Sequence, residues 1–253
     1  MDETAQFARD GYVVLEHIFD AAFADELRAE YLRQFPDVTS SSDRYKVGNR
    51  RIQVPITMKG PYLSPDLYAN PELLRLARGL LGENFLIDSL AIVTALPRAK
   101  MQHLHKDHED LSPGNEVVRA LMGAYAVTIA IPLVDLTPET GTTRLFTRSH
   151  LRPLREEEFA LPYIERGRAY AMDYRLWHQG TQNRSGTERP IIYLVYAKPW
   201  FTDISNYGAA NRIRIASEDL TAVSAEHQPL FRRLSPERWT KTSKFPSRQA
   251  NSQ

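Results

Sequence analysis

From Phe85 onward the chain reads as strand after strand, and no other feature restricts its fold as much. FLIDSLAIVTAL, AYAVTIAIPLV, TRLFT, RAYAM and PIIYLVYA are rich in β-branched and aromatic residues and are separated by turn-forming connections. Strands in series, with no helices alternating between them, predict a sandwich or jelly roll rather than a βαβ sheet. The first third is different. Residues 11–19 predict a short strand, and residues 21–35 carry Phe23, Leu27, Tyr31 and Phe35 at helical spacing. Asn70-Pro71 opens a marked helix, with Asn as N-cap, Pro in the first turn and Gly82 at the end. A stretch from Arg44 to Gly60 shows no clear period, and the residues after about Leu234 read as a polar tail.

Composition narrows the chemistry. The 32 basic and 31 acidic side chains leave a net charge of +1, which offers no global attraction to nucleic acid or to an anionic membrane. No window approaches eighteen consecutive apolar residues, and MDETAQFARDGYVVLEHIF lacks the basic and apolar regions of a secretory signal. The expectation is a cytoplasmic protein acting on a small molecule, with no nucleic-acid or membrane partner. Cysteine is absent, which removes disulfides, thiolate metal sites and thiol nucleophiles. Any metal must be held by His, Asp or Glu.

Three of the seven histidines fall in Gln102-His103-Leu104-His105-Lys106-Asp107-His108-Glu109, just after the strand that ends near Leu96. On an extended segment His103, His105 and Asp107 share a face, but the outer two would stand about 13 Å apart. One strand end therefore supplies two ligands at most, and a third must come from elsewhere. His178, between RAYAM and PIIYLVYA, is the best distant candidate. Two histidines and one carboxylate would form a facial triad suited to non-heme Fe(II) and oxygen.

The spacing of His105-x-Asp107, His178 and Arg189 resembles that of the phytanoyl-CoA dioxygenase family of Fe(II)/2-oxoglutarate oxygenases. Several segments join the resemblance: FARDGYVVLEHIF, LLRLARGLLG, Pro138-Glu139-Thr140-Gly141-Thr142-Thr143-Arg144 closing on Ser149-His150, and WHQGTQNRSGTERP. In the connection to Ser149-His150, Arg148 replaces the usual Gly and Phe146-Thr147 the usual hydrophobic-Pro pair. The resemblance covers roughly residues 7–200. It implies a mainly β (α+β) fold, a double-stranded β-helix (a cupin-like jelly roll) over about 85–200 beneath an N-terminal helical layer. One domain would span 1–253, with the tail over about 235–253.

It also implies a dioxygenase that uses O2 and 2-oxoglutarate, releases succinate and CO2, and hydroxylates, desaturates, epoxidises or cyclises a small molecule of secondary metabolism. His105, Asp107 and His178 would bind Fe(II), and Arg189 would pair with the C5 carboxylate of 2-oxoglutarate. Gln102 and Thr143 match positions that touch the same cosubstrate. Related halogenases lack the carboxylate so that chloride can bind, and this chain keeps Asp107.

Two other readings compete. A cupin site would use His103, His105, Glu109 and His178, but Pro97 stands where that motif needs Gly, and Arg189 is left without a role. A non-catalytic jelly-roll binding module would keep the barrel without turnover. His150 is expected to be structural, His103 and His108 to flank the site, and Trp177 to pack beside the distal ligand. The Arg44–Lys59 stretch reads either as a solvated loop or as a lid whose five positive charges favour an anionic substrate group. The sequence carries no signal for oligomeric state.

Overall fold

The computed structural model describes residues 2–42, 44–203 and 212–234. Strand-forming segments dominate, and most of them pair into two facing sheets. The larger contains β1 (Tyr12–Leu15), β2 (Tyr45–Lys46), β3 (Arg51–Pro55), β5 (Leu86–Ala95), β6 (Ala126–Pro132), β9 (Ala169–Asp173) and β11 (Arg189–Ala197). Their order is β1-β9-β6-β11-β5-β3-β2, every neighbour antiparallel. The smaller sheet holds β10 (His178–Gly180), β7 (Thr143–Phe146) and β8 (Phe159–Ala160), in that order. β4 (Thr57–Met58) pairs in parallel with β12 (Arg214–Ile215). This is the jelly-roll arrangement, sheet on sheet with helices to one side.

Among the described residues the α-helices are α1 (Glu3–Asp10), α2 (Ala21–Gln34), α3 (Pro65–Tyr68), α4 (Pro71–Leu81), α5 (Glu116–Leu121) and α6 (Ser217–Ala222). Their ends follow local chemistry. Asp2 caps α1 through the Thr4 and Ala5 N–H groups, Asp20 caps α2 through Phe23, and Asn70 caps α4 through Glu72. Gly11, at φ 82°, ends α1 and turns the chain into β1. No described helix is long and apolar enough to cross a membrane.

Because strand side chains alternate, each central strand presents two different faces. Outward, Val54, Ile92, Ile129, Ile131, Ile192 and Leu194 join Leu27 and Tyr31 of α2 and Leu73 and Leu76 of α4 in one buried cluster. Each fully buried aliphatic side chain there contributes about 1.5–3 kcal/mol. Inward, Ala130, Tyr170, Met172 and Ile191 meet Leu145 of the smaller sheet and Leu176. The inward face is where the site lies.

Three expectations change. The strand expected over 11–19 is confined to Tyr12–Leu15, because Gly11 belongs to the end of a helix that the sequence reading did not mark. The Arg44–Lys59 stretch is not a solvated loop: it holds β2, β3 and β4, and Arg51 in it is buried. The sheet also takes β1, β2 and β3 from outside residues 85–200. The tail expected over 235–253 lies outside the described residues.

Candidate active site

After β5 the chain turns at Pro97 and Arg98 and comes back along β10. The Gln102 N–H donates to the Gly180 carbonyl at 2.8 Å, His105 N–H to His178 carbonyl at 3.1 Å, and His178 N–H to His105 carbonyl at 2.8 Å. These reciprocal bonds make His105 and His178 a directly opposed antiparallel pair, so residues 73 apart in sequence sit with ring centroids 4.3 Å apart. The second histidine therefore comes from a neighbouring strand.

The ring orientations are fixed from behind. His105 Nδ1 lies 2.9 Å from the His103 carbonyl, and His178 Nδ1 lies 3.0 Å from the Leu176 carbonyl. A carbonyl only accepts, so each Nδ1 carries a proton and Nε2 is the ring atom left to a ligand. His178 Nε2 is 3.6 Å from Asp107 Oδ1, and one ligand atom from each of His105, Asp107 and His178 lies within 4.8 Å of the others. Burial, with His178 nearby, pushes the His105 pKa down to about 3, so the ring stays neutral. Burial also raises the Asp107 pKa, against the opposing influence of His178. Thr128 Oγ1 donates to Asp107 Oδ2 at 3.3 Å. Two imidazoles aimed by backbone carbonyls, plus one carboxylate, suit a divalent metal.

Arg189 opens β11, and its partner Ala95 on β5 is also the partner of Arg51 on β3. The two guanidinium groups thus occupy one row of the inward face, next to the row of Gln53 and Val93 that lines a cavity of about 190 Å³ beside the histidines. Arg51 is 1% exposed and Arg189 3%. Arg189 Nη1 donates to the carbonyls of Thr140 (3.1 Å), Thr142 (3.3 Å) and Thr181 (3.3 Å). Arg51 Nη2 donates to those of Lys100 (3.0 Å), Gly180 (3.1 Å) and Thr181. Both groups therefore share the Thr181 carbonyl, and the Nε of each has no partner. Burial and the charge of Arg189 pull the Arg51 pKa down to about 10, and burial lowers that of Arg189. Backbone carbonyls do not neutralise two buried cations, so the row is prepared for an anion. Gly141, at φ 79°, is needed here: a Cβ would lie 2.6 Å from Arg189 Nη1.

Thr143 lines the cavity, and Tyr170 donates its hydroxyl to Thr143 Oγ1 at 2.8 Å, which leaves the threonine proton for another acceptor. Gln102 also lines the cavity, but both ends of its amide are engaged. Its Nε2 donates to the Val47 carbonyl at 3.0 Å, and its Oε1 accepts from the Gly180 N–H at 3.3 Å. The Lys106 ammonium lies 5.0 Å from the centre of the Trp177 ring. His150 is buried, its Nε2 3.2 Å from the Ala8 carbonyl.

The cupin set does not assemble. Glu109 is exposed, and the ligand cluster found among the described residues is His105, Asp107 and His178. Arg51 is the residue that sequence reasoning missed as an individual. The alternation Arg51-Ile52-Gln53-Val54, polar then apolar, was the signal for its strand.

The chain is similar to the dioxygenase af480 of Aspergillus fumigatus, 27% identical over 152 residues, which are 57% of this chain and 48% of that protein. It thus spans about half the length of that curated relative. Among solved structures, HygX from Streptomyces hygroscopicus, with nickel and 2-oxoglutarate bound, superposes with a TM-score of 0.64. Identity there is 16%, covering 83% of this chain and 93% of HygX. The non-heme alpha-ketoglutarate-dependent epimerase SnoN, from nogalamycin biosynthesis, gives a TM-score of 0.60 at 22% identity, covering 78% of this chain and 81% of SnoN. These likenesses establish the fold. The model of one family, phytanoyl-CoA dioxygenase, matches residues 7–191, nearly three-quarters of the sequence, and the chain belongs to that family.

Proposed function

We propose that this protein is an Fe(II)/2-oxoglutarate-dependent oxygenase that modifies a C–H bond of a small molecule. The observation that carries the reading is the convergence of His105, Asp107 and His178, with both Nδ1 protons tied to backbone carbonyls. When bound, Fe(II) with 2-oxoglutarate and O2 supplies a two-electron oxidation of the substrate, releasing succinate and CO2.

The chain's own residues do the positioning. His105, His178 and Asp107 would hold the metal, and its remaining positions would serve cosubstrate and O2. Arg189 receives the C5 carboxylate of 2-oxoglutarate as a planar, two-pronged donor. Arg51, on the neighbouring strand, adds a second positive charge to that end of the pocket. Thr143 gives its hydroxyl proton to the same carboxylate, held in place by Tyr170. Gln102 serves chiefly to tie the β2–β3 hairpin to β10.

Hydroxylation, desaturation, epoxidation and ring closure would all draw on the same two-electron oxidation, so the bound substrate decides the product. The structural neighbours carry names from natural-product biosynthesis, which favours a tailoring role. A reducing, cytoplasmic setting suits ferrous iron and a chain without cysteine. The test is succinate release from 2-oxoglutarate in the presence of Fe(II) and O2. The parent should release it slowly even without substrate, and His178→Ala should not. Equal release by both would refute the assignment.

A further inference from the structure

We propose that the cleft on the far side of the β2–β3 hairpin is a binding site for a multiply charged oxyanion, and that this group belongs to the substrate. The site itself stands on geometry, whereas its ownership by the substrate rests on the oxygenase reading.

The cleft has a volume of about 410 Å³, and Arg44, Lys46, Arg50 and Arg51 all line it. Among the described residues, no acidic one does. Among the described residues, none of the four forms an ion pair with a carboxylate. Ordinary basic surfaces intersperse opposite charges. Four cations around one concavity, with no carboxylate among its described lining residues, concentrate positive potential there instead.

Three of the four are held on anchored backbone. Arg50 sits in the left-handed region at φ 51°, and its Nε donates to the Pro97 carbonyl at 2.8 Å. The neighbouring Asn49 Oδ1 accepts from the Lys100 N–H at 3.4 Å. Lys46 is fixed in β2 by pairing with Ile52. Arg51 is fully buried and forms the inner wall.

The cleft and the metal cavity share the hairpin. Val47 lines the metal cavity, while its neighbours Lys46 and Gly48 line the cleft. Arg51 spans the partition, lining the cleft while donating to the carbonyl of Gly180, a residue of the metal cavity. A single carboxylate would leave most of this charge unmatched, so the chemistry that fits is a phosphate or pyrophosphate group.

Calorimetric titration of the metal-free full chain with inorganic pyrophosphate at low ionic strength tests the site. One-to-one binding is expected, persisting in saturating 2-oxoglutarate and in Arg189→Met. Arg44→Glu and Lys46→Glu, both exposed positions whose melting temperatures should stay near the parent's, should each weaken it by at least about tenfold. The affinity for 2-oxoglutarate should not change. Displacement of pyrophosphate by 2-oxoglutarate would place the anion at Arg189 and overturn the proposal. So would the absence of saturable binding, or indifference to both charge reversals. Pyrophosphate binding in a protein that never binds 2-oxoglutarate would refute the oxygenase reading alone. Ownership by the substrate is read from which compounds stimulate succinate release: phosphorylated ones, with the stimulation lost in Lys46→Glu. Stimulation by uncharged compounds that survives Lys46→Glu would contradict it.

Discussion

The two faces of the larger sheet are made by the same strands, yet they serve opposite ends. Outward, Ile92, Ile129, Ile192 and Leu194 pack on α2 and α4, and the polar Thr94 is matched by the Tyr31 hydroxyl at 2.7 Å. Inward, β3 and β11 carry Arg51 and Arg189 on either side of Ala95 of β5, two buried cations whose Nε atoms lack partners. Residues one apart on a strand therefore answer to different demands. The outward set stabilises the fold, and the inward set gives up stability to hold charges where, on the proposed reading, an anion and a metal would bind.

The sharpest way to break this comparison is to remove a ligand. His178→Ala should weaken metal binding by more than the roughly 10–100-fold that loss of an outer partner of a ligand costs. Its effect on melting temperature should be small. Arg189→Met comes next. Losing charge-assisted hydrogen bonds worth about 2–3 kcal/mol should weaken 2-oxoglutarate binding by about 30–150-fold. The apo-protein should melt no lower than the parent, because a buried unpaired charge has been replaced by an apolar side chain of similar length.

Ile192→Ala, one strand over on the outward face, should do the reverse. A loss of about 2–5 kcal/mol in denaturant unfolding is expected, with the affinity of the folded fraction for 2-oxoglutarate unchanged. If Ile192→Ala and Arg189→Met moved stability and affinity alike, the division between faces would not exist.

Acid should separate the faces more gently. The folded pKa of His105 is about 3, below the value near 6.5 of an exposed histidine. Its contribution is therefore complete above pH 6.5 and is lost as pH falls toward 3, because the unfolded chain takes up the proton first. Apo-protein melts between pH 7 and 4 should decline, and less steeply in His105→Asn.

The sequence reading succeeded where a segment is long or its chemistry distinctive. β5, β6 and β11 are long apolar runs, α4 has a cap, a proline and a closing glycine, and His105, Asp107 and His178, singled out by their spacing, are brought together by the fold. It failed where the deciding contact is remote. β10 and β8 have three and two residues, too few for a period, and exist because partners across the sheet hold them. Arg51 looks like any surface arginine until β5 places it beside Arg189. Gln102 shows the same limit, since nothing local reveals that Val47 and Gly180 occupy its amide.

The central claim is that Asp107, and not Glu109, completes the metal site with the two histidines. Anaerobic titration of the apo-protein with Fe(II), then with 2-oxoglutarate, reads it through the visible metal-to-ligand charge-transfer band. The account predicts a band in the parent that Glu109→Ala keeps and Asp107→Ala weakens or loses. No band in the parent, with metal retention dependent on Glu109, would contradict it.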